Sequence, residues 1–438
     1  MAKQRTAFIC QSCEFQSPQW LGQCPNCGEW NTFVETEVTP TAGAGGGTFG
    51  TPGIAAKPIP IKSITSKQIA RIKTGSVEFD RVLGGGFVPG QVVLLAGEPG
   101  IGKSTLITHI ARLFHPGKVL YVCGEESAQQ VKVRVERMGY KGDNLLVLPE
   151  TDVDEIALAI EQEEGLTLAM VDSIQTLISQ EYIGVPGSVG QVRGGTQKLT
   201  NSAKRTGVPV ILVGHVTKEG TVAGPKVLEH IVDTVLYLEG DSQHMFRILR
   251  TTKNRFGPVS EVGIFEMSES GMVEVENPSE IFLSERSNSA GSCISVVMEG
   301  FRPILFEVQA LTTPTAFGYP VRAASGFSMN RLKVLIAILE KHAKLDLRIN
   351  DVYLNIAGGF KISEFSADLA VCLAIASSIK RKPIGKKFAA FGEVGLGGEI
   401  RKVAFMDKRI KEAHKLGYTS VVSPVDTRSL AEAIAKVL

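Results

Sequence analysis

No apolar run in the sequence approaches the ~20 residues that a membrane-spanning helix needs. The first residues also lead into cysteines rather than into the apolar core of a signal peptide. Charge of one sign is lacking as well, since 47 Lys and Arg oppose 45 Asp and Glu for a net charge of +2. We therefore expect a cytoplasmic protein with no membrane partner. The net charge leaves nucleic acid open as a partner, because acidic surface elsewhere can balance a basic channel.

Cysteine is scarce beyond residue 27. Three of the seven cysteines, Cys123, Cys293 and Cys372, stand singly in apolar sequence and are typical of small buried side chains. The other four form two CxxC pairs with ten residues between them, a spacing that lets four thiolates converge on one structural zinc ion. These candidate Zn²⁺ ligands are Cys10, Cys13, Cys24 and Cys27. A disulfide pairing is the alternative, and a reducing cytoplasm disfavours it.

Tryptophan occurs only twice, and both residues lie in the cysteine segment. We expect Trp20, Trp30 and the nearby Phe33 to pack in the core of a small zinc module, with stacking on a base or a partner as the alternative. Because about 35 residues bury too little apolar surface to fold unaided, the metal should supply the stability of this module. Residues 36–65, rich in Thr, Ala, Gly and Pro, predict a flexible linker.

The next segment contains a phosphate-binding loop of the form GxxxxGKS at residues 97–104. An apolar, β-branched run at residues 92–96 precedes it, and helical spacing follows it. Glycines let backbone N–H groups point at phosphate oxygens, and the helix N-terminus adds partial positive charge. A glycine turn that happens to precede Lys-Ser is the alternative.

The loop predicts binding of ATP or ADP. Lys103 should meet the β- and γ-phosphates, and Ser104 should ligate Mg²⁺. The residues expected to contact the nucleotide are Gly97, Glu98, Pro99, Gly100, Ile101, Gly102, Lys103, Ser104 and Thr105.

Carboxylates follow two of the apolar strands beyond the loop. Glu125 and Glu126 come after a strand at residues 118–123, where one of the pair can polarise water for attack on a γ-phosphate. The alternative is helix capping, with Ser127 as the cap and the acids near the helix N-terminus, and both roles are compatible. Asp172 ends a second strand and is placed to hold the Mg²⁺ shell.

Two glycine-rich segments predict mobile loops on one side of the sheet. Residues 183–195 carry Arg193, and residues 217–226 follow a buried strand that ends at His215. A helix with Lys198, Lys204 and Arg205 lies between them. Such loops supply the adaptable backbone and the cations that a nucleic-acid channel needs. Ordinary solvated loops are the alternative.

Lys253 and Arg255 follow a strand predicted at residues 246–250. They should lie on one side of an extended chain because side chains alternate there. Two cations that point the same way suit a phosphate, such as the γ-phosphate of a nucleotide held by a neighbouring subunit.

These motifs together resemble the bacterial RadA (Sms) family of RecA-like DNA repair ATPases. The resemblance covers essentially the whole chain and includes the zinc module, TGSVEFDRVLGGG at residues 74–86, the phosphate loop, GHVTKEG at 214–220 and KNRFG at 253–257. It implies a hexameric ring motor, similar to DnaB-type helicases, whose ATP hydrolysis is coupled to single-stranded DNA. It further implies action on branched recombination intermediates, where branch migration extends the heteroduplex begun by the RecA recombinase.

The resemblance also implies individual roles for five residues. Glu125 matches the acid that activates water, with Glu126 next in line. His215 matches the residue that senses the γ-phosphate and relays it to the following DNA-binding loop. Lys253 and Arg255 match the pair that acts on the neighbouring subunit's nucleotide and supports DNA binding.

The C-terminal part resembles the peptidase domain of Lon, notably at FGEVGLGGEIR, residues 391–401. Ser366 falls at the nucleophile position. The base lysine of that family aligns with Asp407, and Lys408 is one place off, which rotates a helical side chain by about 100°. Asp368 replaces a small glycine beside the serine. We therefore expect a Lon-like fold without peptidase activity, used for ring assembly and as a basic surface for DNA.

The sequence thus predicts an α/β protein: a RecA-like P-loop ATPase core with an N-terminal four-cysteine zinc module and a C-terminal Lon-protease-like α+β domain. The expected bounds are 1–35 for the zinc module, 36–65 for the linker, 66–278 for the ATPase domain and 284–438 for the Lon-like domain. A DNA-dependent ATPase motor is favoured, because a protease unfoldase needs neither the zinc module nor KNRFG. The alternatives are an ATP-dependent Lon-like peptidase and a nucleotide-gated DNA-binding scaffold.

Overall fold

The computed structural model describes residues 5–10, 16–17, 19–25, 30, 32–38, 70–215, 225–240, 245–283, 289–316, 318–359, 361–362 and 364–438. The chain divides into two compact units. One comprises Met1–Leu238 and Thr252–Gly257, and the other comprises Glu239–Thr251 and Pro258–Leu438. The chain therefore passes from one unit to the other three times, after Leu238, after Thr251 and after Gly257.

The strands and helices of the first unit alternate along most of its length. In chain order they are β1 (Arg5–Cys10), β2 (Gln16–Ser17), β3 (Phe33–Val38), α1 (Val77–Leu83), β4 (Val92–Gly97), α2 (Lys103–Leu113), β5 (Lys118–Cys123), α3 (Ala128–Arg137), β6 (Leu145–Leu148), α4 (Val153–Gln162), β7 (Leu166–Asp172), α5 (Val189–Thr206), β8 (Val210–His215), α6 (Pro225–Leu228), β9 (Thr234–Glu239) and β10 (Phe246–Asn254).

A small antiparallel sheet in the order β2-β1-β3 forms the N-terminal module. Cys10 ends β1 and pairs with Phe33 at the start of β3. Cys24 is buried, with Phe8 and Leu21 packed against it. Cys13 and Cys27 lie outside the described residues.

The predicted parallel sheet is confirmed in the order β9-β4-β8-β7-β5-β6. Its central strands are apolar along their length because helices cover both faces of a parallel sheet. Helices α4 and α5 bury Ile156 and Leu199 in one apolar core with Leu94 and Val122 of the strands. The parallel direction brings the carboxyl ends of β4, β5, β7 and β8 to the same edge.

The glycine-rich segment before α5 differs from the sequence prediction. A loop was expected over residues 183–195, but α5 begins at Val189, so Arg193 and two neighbouring glycines are helical. A Cβ at Gly194 would lie 2.3 Å from the ring of Tyr182, and one at Gly195 would lie 3.6 Å from Val153. The glycines here allow close packing of a helix against its neighbours rather than loop mobility.

Two further segments can be compared with the prediction. The strand expected at residues 246–250 continues to Asn254, so Lys253 lies within β10. The second expected loop, residues 217–226, lies outside the described residues except for Pro225 and Lys226.

The second unit contains a mixed sheet with helices on both faces. After β10 its elements are β11 (Val262–Ser268), β12 (Gly271–Glu274), α7 (Pro278–Leu283), β13 (Ser292–Glu299), β14 (Arg302–Pro314), β15 (Arg322–Ser325), α8 (Met329–Ala343), β16 (Asn350–Ile356), α9 (Asp368–Lys380), β17 (Phe388–Ala390), β18 (Glu393–Val394), β19 (Ile400–Arg401), α10 (Met406–Lys415), β20 (Ser420–Val422) and α11 (Leu430–Val437). The six-stranded sheet has the order β15-β16-β14-β13-β17-β20.

Helix α9 fills the core of this unit, and every residue from Asp368 to Ser377 is buried. The expectation that this apolar helix is buried is confirmed. The unit also takes in residues 258–278, which the sequence pattern groups with the ATPase domain. The reason is packing, since Ile264 of β11 and Val275 after β12 join the apolar core around α8 and α9.

Cys123, Cys293 and Cys372 are all buried, as the sequence predicts. Among the described residues, no helix combines the length and the apolar character needed to cross a membrane.

The two adjacent glycines of α5 provide a test of this packing. Replacing glycine by alanine in a helix normally stabilises it by up to about 1 kcal/mol. We expect Gly195→Ala to follow that rule, because its new methyl group meets Val153 at an ordinary contact distance. Gly194→Ala should instead lower the free energy of unfolding by about 1 kcal/mol or more, because the methyl group overlaps the ring of Tyr182. Urea unfolding of both variants measures the difference, and equal stabilisation by the two would contradict the packing described here.

Candidate nucleotide-hydrolysis site

The phosphate-binding loop connects β4 to α2. Gly100 and Gly102 have φ values of 76° and 110°, a left-handed region that only glycine adopts readily. At Gly97 a Cβ would lie 2.7 Å from the carbonyl oxygen of Leu238. Within the described chain no side chain caps α2 at Gly102, so its first N–H groups suit a phosphate. The loop therefore has the backbone that nucleotide binding requires.

Lys103 is the first residue of α2 and is almost fully buried. Its ammonium donates to the carbonyl oxygens of Gly97 at 3.0 Å and Glu98 at 2.9 Å. Burial lowers the pKa of Lys103, and the charges of Asp172 and Glu125 oppose that shift. The lysine thus lies across the loop, close to both carboxylates.

The sheet register brings the catalytic candidates together. Gly97 pairs with His215 across β4 and β8, and Cys123 pairs with Asp172 across β5 and β7. Glu125 follows β5 by two residues. Its Oε1 lies 3.1 Å from His215 Nε2, so the Nε2–H tautomer can donate to it. The structure therefore places both predicted residues in contact.

Glu125 also accepts a hydrogen bond from the hydroxyl of Ser173. The hydrogen bond from His215 is the largest influence on the carboxyl and lowers the pKa of Glu125, with a smaller lowering from Ser173 and an opposing effect of burial. The carboxylate is consequently ionised at neutral pH. Its side chain remains 39% exposed, so a water molecule can reach it.

Glu126 is oriented differently from Glu125. Its Oε2 forms an ion pair with Nη1 of Arg134 at 2.6 Å. The next residue, Ser127, caps α3 by accepting from the N–H of Gln130, whose side chain accepts from the N–H of Ser127 in return. The predicted cap is confirmed, and the capping box coexists with Glu125 at the edge of the sheet.

Asp172 ends β7 and is buried. Its Oδ2 accepts a hydrogen bond from the hydroxyl of Tyr121 at 2.7 Å. Burial and the charge of Asp172 raise the pKa of Tyr121 well above its ordinary value. A carboxylate beside a phosphate loop is an oxygen ligand of the kind Mg²⁺ prefers, and Ser104, the second residue of α2, can supply the hydroxyl.

Sequence reasoning missed three residues of this site: Tyr121, Ser173 and Arg134. Tyr121 stands in the buried, apolar part of β5 that follows Lys118, and it carries the only hydroxyl in that strand. That isolated polar atom is the signal that could have identified it, because a buried hydroxyl needs a partner. Ser173 and Arg134 carry no comparable signal.

Lys253 and Arg255 have partners within the first unit. The ammonium of Lys253 donates to the carbonyl oxygens of Glu229 and, at 2.9 Å, of Val232. Nη1 of Arg255 lies 3.4 Å from Asp233 Oδ1, and its side chain is 53% exposed. Burial lowers the pKa of Lys253, and the neighbouring charge of Arg255 adds to that shift.

The cations expected to line a DNA channel fall into two groups. Arg193 is exposed on α5. Lys198 is paired with Asp154 and Glu181, Lys204 with Asp233, and Arg205 with Glu161. These three cations therefore contribute to the packing of α5, and the exposed Arg193 remains the better candidate for a phosphate contact.

The N-terminal module bears on the zinc prediction only in part. The structure describes the side chain of Cys24 but only the backbone of Cys10, and Cys13 and Cys27 lie outside the described residues. In the part of the chain that the structure covers, no three His, Cys, Asp or Glu side chains form a metal-binding group. The expectation that the tryptophans are buried is wrong: Trp20 is 52% and Trp30 is 66% exposed, because Phe8 and Leu21 pack around Cys24 instead.

Ser366 lies in the core of the second unit and is fully buried. Its hydroxyl donates to Glu364 Oε2 at 2.8 Å and accepts from Nη1 of Arg409 at 3.0 Å. Arg409 is buried too, and it donates to the carbonyl oxygen of Val296 at 2.6 Å. Lys408 lies over the rings of Phe301 and Phe405, at 5.2 Å and 5.3 Å from their centroids.

Asp368, which replaces the small residue expected beside a catalytic serine, is bound by Arg331. It also accepts from the N–H of Val394 at 3.2 Å. Burial raises the pKa of Asp368, and its pairing with Arg331 opposes that shift. No lysine among the described residues forms a hydrogen bond with Ser366, and a protonated arginine cannot serve as its base.

Two segments of the first unit match known protein families. Residues 62–221 match the family model of an AAA domain, and residues 8–35 match that of a rubredoxin metal binding domain. Among solved structures, the ATPase domain of G40P covers 48% of this chain and 94% of its own at 16% identity, with a TM-score of 0.41.

Curated relatives match nearly the full length. DNA repair protein RadA of Bacillus subtilis (strain 168) is 50% identical over 428 residues, which is 97% of this chain and 93% of the relative. DNA repair protein RadA of Aquifex aeolicus (strain VF5) is 46% identical over 428 residues, 97% of this chain and 94% of the relative. Because these identities extend over nearly the whole chain, which also contains an AAA domain, the chain belongs to the RadA family of DNA repair ATPases.

Proposed function

We propose that this RadA-family ATPase is a DNA-dependent motor that processes branched recombination intermediates. The observation that carries the proposal is the contact between Glu125 and His215. It joins the carboxylate suited to activate the attacking water to the residue that precedes the glycine- and lysine-bearing segment 217–226 of the sequence. A movement of His215 would change the hydrogen bond to Glu125, and a movement of Glu125 would change the hydrogen bond to His215. Coupling of ATP hydrolysis to DNA binding requires such a mutual dependence.

The first unit carries the residues to which we assign the binding of nucleotide and Mg²⁺. Lys103 would exchange the carbonyl oxygens of Gly97 and Glu98 for the β- and γ-phosphates. Ser104 and Asp172 would hold Mg²⁺, which neutralises charge on the phosphate oxygens when bound. The oxygen character of both ligands and their position beside the loop support this assignment.

Glu125 is the proposed general base. It orients the attacking water and accepts its proton as the bond to the γ-phosphate forms. The lowered pKa of Glu125 keeps it ionised, and Ser173 and His215 hold its carboxylate in place. Glu126 is committed to Arg134, so we assign it to structure at the start of α3.

We further propose a ring of subunits, with the hexamer as the expected size. In such a ring Lys253 and Arg255 would leave their carbonyl and Asp233 partners for the γ-phosphate held by the adjacent subunit. The exposure of Arg255 supports this role, because its guanidinium can reach another chain. Hydrolysis would then depend on assembly.

The proposed partners follow from the same scheme. The motor would bind single-stranded and branched DNA in the cytoplasm and extend by branch migration the heteroduplex that the RecA recombinase begins. The N-terminal module would hold Zn²⁺ through Cys10, Cys13, Cys24 and Cys27, as its match to a rubredoxin metal binding domain favours. The exposed tryptophans leave stacking on a base or a partner as their proposed use.

For the Lon-like domain we propose a structural role without peptidase activity. Both hydrogen bonds of the Ser366 hydroxyl are taken by Glu364 and Arg409 inside the core. Activation of this serine would need a neutral base at the place where Arg409 lies, and arginine stays protonated in proteins. The domain remains available for ring assembly and for contact with DNA.

A first test concerns the coupling to DNA. We expect single-stranded DNA to raise the ATPase rate several-fold and Lys103→Ala to abolish turnover. Lys118→Ala is the matched control, since that lysine pairs with Glu163 at the surface and should not affect the rate. An ATPase rate indifferent to DNA across a range of salt concentrations would contradict the motor and favour the scaffold alternative.

A second test separates the two adjacent glutamates. We expect Glu125→Gln to lower kcat by about 10²- to 10⁴-fold, because it removes the base while keeping the size of the side chain. Nucleotide binding should persist in this variant. Glu126→Gln should keep kcat within about tenfold of the unchanged protein, since its carboxylate acts on Arg134 alone. The reverse order of effects in a steady-state ATPase assay would move the base to Glu126.

The pH profile tests the contact with His215. The pKa of Glu125 in the folded protein lies below its ordinary value. The active, ionised carboxylate is therefore fully present at pH values above the ordinary pKa, and it is lost as the pH falls through the folded pKa. His215→Ala removes the largest cause of the lowering and leaves the opposing burial. We therefore expect the acid limb of kcat/KM to move to higher pH.

His230→Ala, at an exposed histidine of the same unit, is the control for this profile. It should leave the acid limb unchanged. An acid limb that does not move in His215→Ala would show that the hydrogen bond does not govern the ionisation of Glu125.

A further inference from the structure

The hydroxyl of Tyr121 is buried in the middle of the first unit, and only 1% of the residue is exposed. It donates to Oδ2 of Asp172 at 2.7 Å. Phenylalanine would fill the same space in this apolar strand without the cost of burying a polar atom. The hydroxyl therefore has its use at Asp172 rather than in packing.

Arg134 of α3 binds the same hydroxyl from the other side. Its Nη2 donates to the oxygen of Tyr121 at 2.9 Å, its Nη1 to Glu126 Oε1 at 2.9 Å, and its Nε to Thr108 Oγ1 at 3.2 Å. Thr108 lies in α2 and donates to the carbonyl oxygen of Ser104 at 2.7 Å. One guanidinium thus connects the segment after β5 with the helix that follows the phosphate loop.

We propose that Tyr121 is a positioning residue for Mg²⁺ at the nucleotide site, acting through Asp172 and held in turn by Arg134. The inference rests on the proposed role of Asp172 as a holder of the ion. With Oδ2 held by the phenol, the carboxylate keeps one orientation, in which Oδ1 would be the oxygen available to the ion. Partners that orient a metal-binding carboxylate typically change metal affinity or activity by about 10- to 100-fold when they are removed.

The same contacts fix the geometry of the site as a whole. Asp172 ends β7, Glu126 follows β5, and Thr108 belongs to α2, so three elements that surround the nucleotide share one network. Because Tyr121 and Asp172 are buried, water cannot freely replace the hydrogen bond between them. Loss of the Tyr121 hydroxyl would let Asp172 rotate, while the ring would still fill the core.

A purely structural hydroxyl and a positioning hydroxyl give different results. If it only stabilises the fold, its removal lowers the melting temperature and leaves the dependence on Mg²⁺ unchanged. If the hydroxyl positions Asp172, its removal raises the Mg²⁺ concentration at which the effect of Mg²⁺ on ADP binding is half-maximal. Binding of nucleotide in EDTA then stays the same, because Tyr121 touches no part of the phosphate loop.

The test compares Tyr121→Phe with Tyr140→Phe in the full-length protein. Tyr140 is also buried, and its hydroxyl donates to Asn144 at 2.5 Å. Binding of a fluorescent ADP analogue is titrated with Mg²⁺ and repeated in EDTA. We expect Tyr121→Phe to raise the half-saturating Mg²⁺ concentration by about tenfold, with unchanged ADP affinity in EDTA, and Tyr140→Phe to change neither. A folded Tyr121→Phe with the Mg²⁺ dependence of the unchanged protein would overturn the proposal.

Arg134→Lys provides a second variant should thermal melting show that Tyr121→Phe does not fold. A lysine cannot bridge Tyr121, Glu126 and Thr108 at once, so a several-fold rise in half-saturating Mg²⁺ is expected, and an unchanged value would again overturn the proposal. Asp172→Asn separates this inference from the proposed function. If Mg²⁺ no longer affects ADP binding in Asp172→Asn, while Tyr121→Phe keeps the Mg²⁺ dependence of the unchanged protein, only the positioning role of Tyr121 fails. If Asp172→Asn also keeps that Mg²⁺ dependence, the assignment of Asp172 to the ion site fails as well.

Discussion

The parallel alignment of β4, β5, β7 and β8 is the constraint on which the nucleotide site depends. Apolar side chains hold these strands between layers of helices, and the shared direction brings four carboxyl ends to one edge. Each strand end then carries one polar group: the phosphate loop after β4, Glu125 after β5, Asp172 on β7 and His215 on β8. Residues up to about 120 positions apart in the sequence lie side by side at this edge, because the strand register pairs Gly97 with His215 and Cys123 with Asp172.

The partly buried Arg134 and the fully buried Arg409 make similar interactions in different surroundings. Arg134 binds Tyr121 and Glu126 in the first unit, yet the neighbouring Glu125 stays 39% exposed and open to water. Arg409 binds Ser366 and Glu364 in the second unit, where the serine has no exposed surface. In the first case the arginine binds the glutamate next to an accessible carboxylate. In the second it binds a hydroxyl that is itself buried in the core.

Much of the fold follows from local pattern. The strand-loop-helix around Lys103, the parallel sheet, the capping of α3 by Ser127 and the buried helix α9 all match the expectations drawn from apolar periodicity and glycine placement. The predicted loop at residues 183–195 was wrong because glycine occurs both in mobile loops and at close packing contacts within helices. At Gly194 the missing side chain makes room for Tyr182 rather than for a turn, and only the packed neighbour distinguishes the two. The burial predicted for Trp20 and Trp30 was also wrong, because a module this small does not bury every large apolar side chain.

The phosphate loop, the acidic candidates and the resemblance to the RadA family can be read from the amino-acid sequence, because each rests on residue types at fixed local spacing. The folded chain adds that Glu125 rather than Glu126 contacts His215, that Arg409 rather than Lys408 contacts Ser366, and that Tyr121 binds Asp172. These contacts join residues that are far apart in the chain. Their geometry depends on strand register and side-chain direction, which local spacing does not encode.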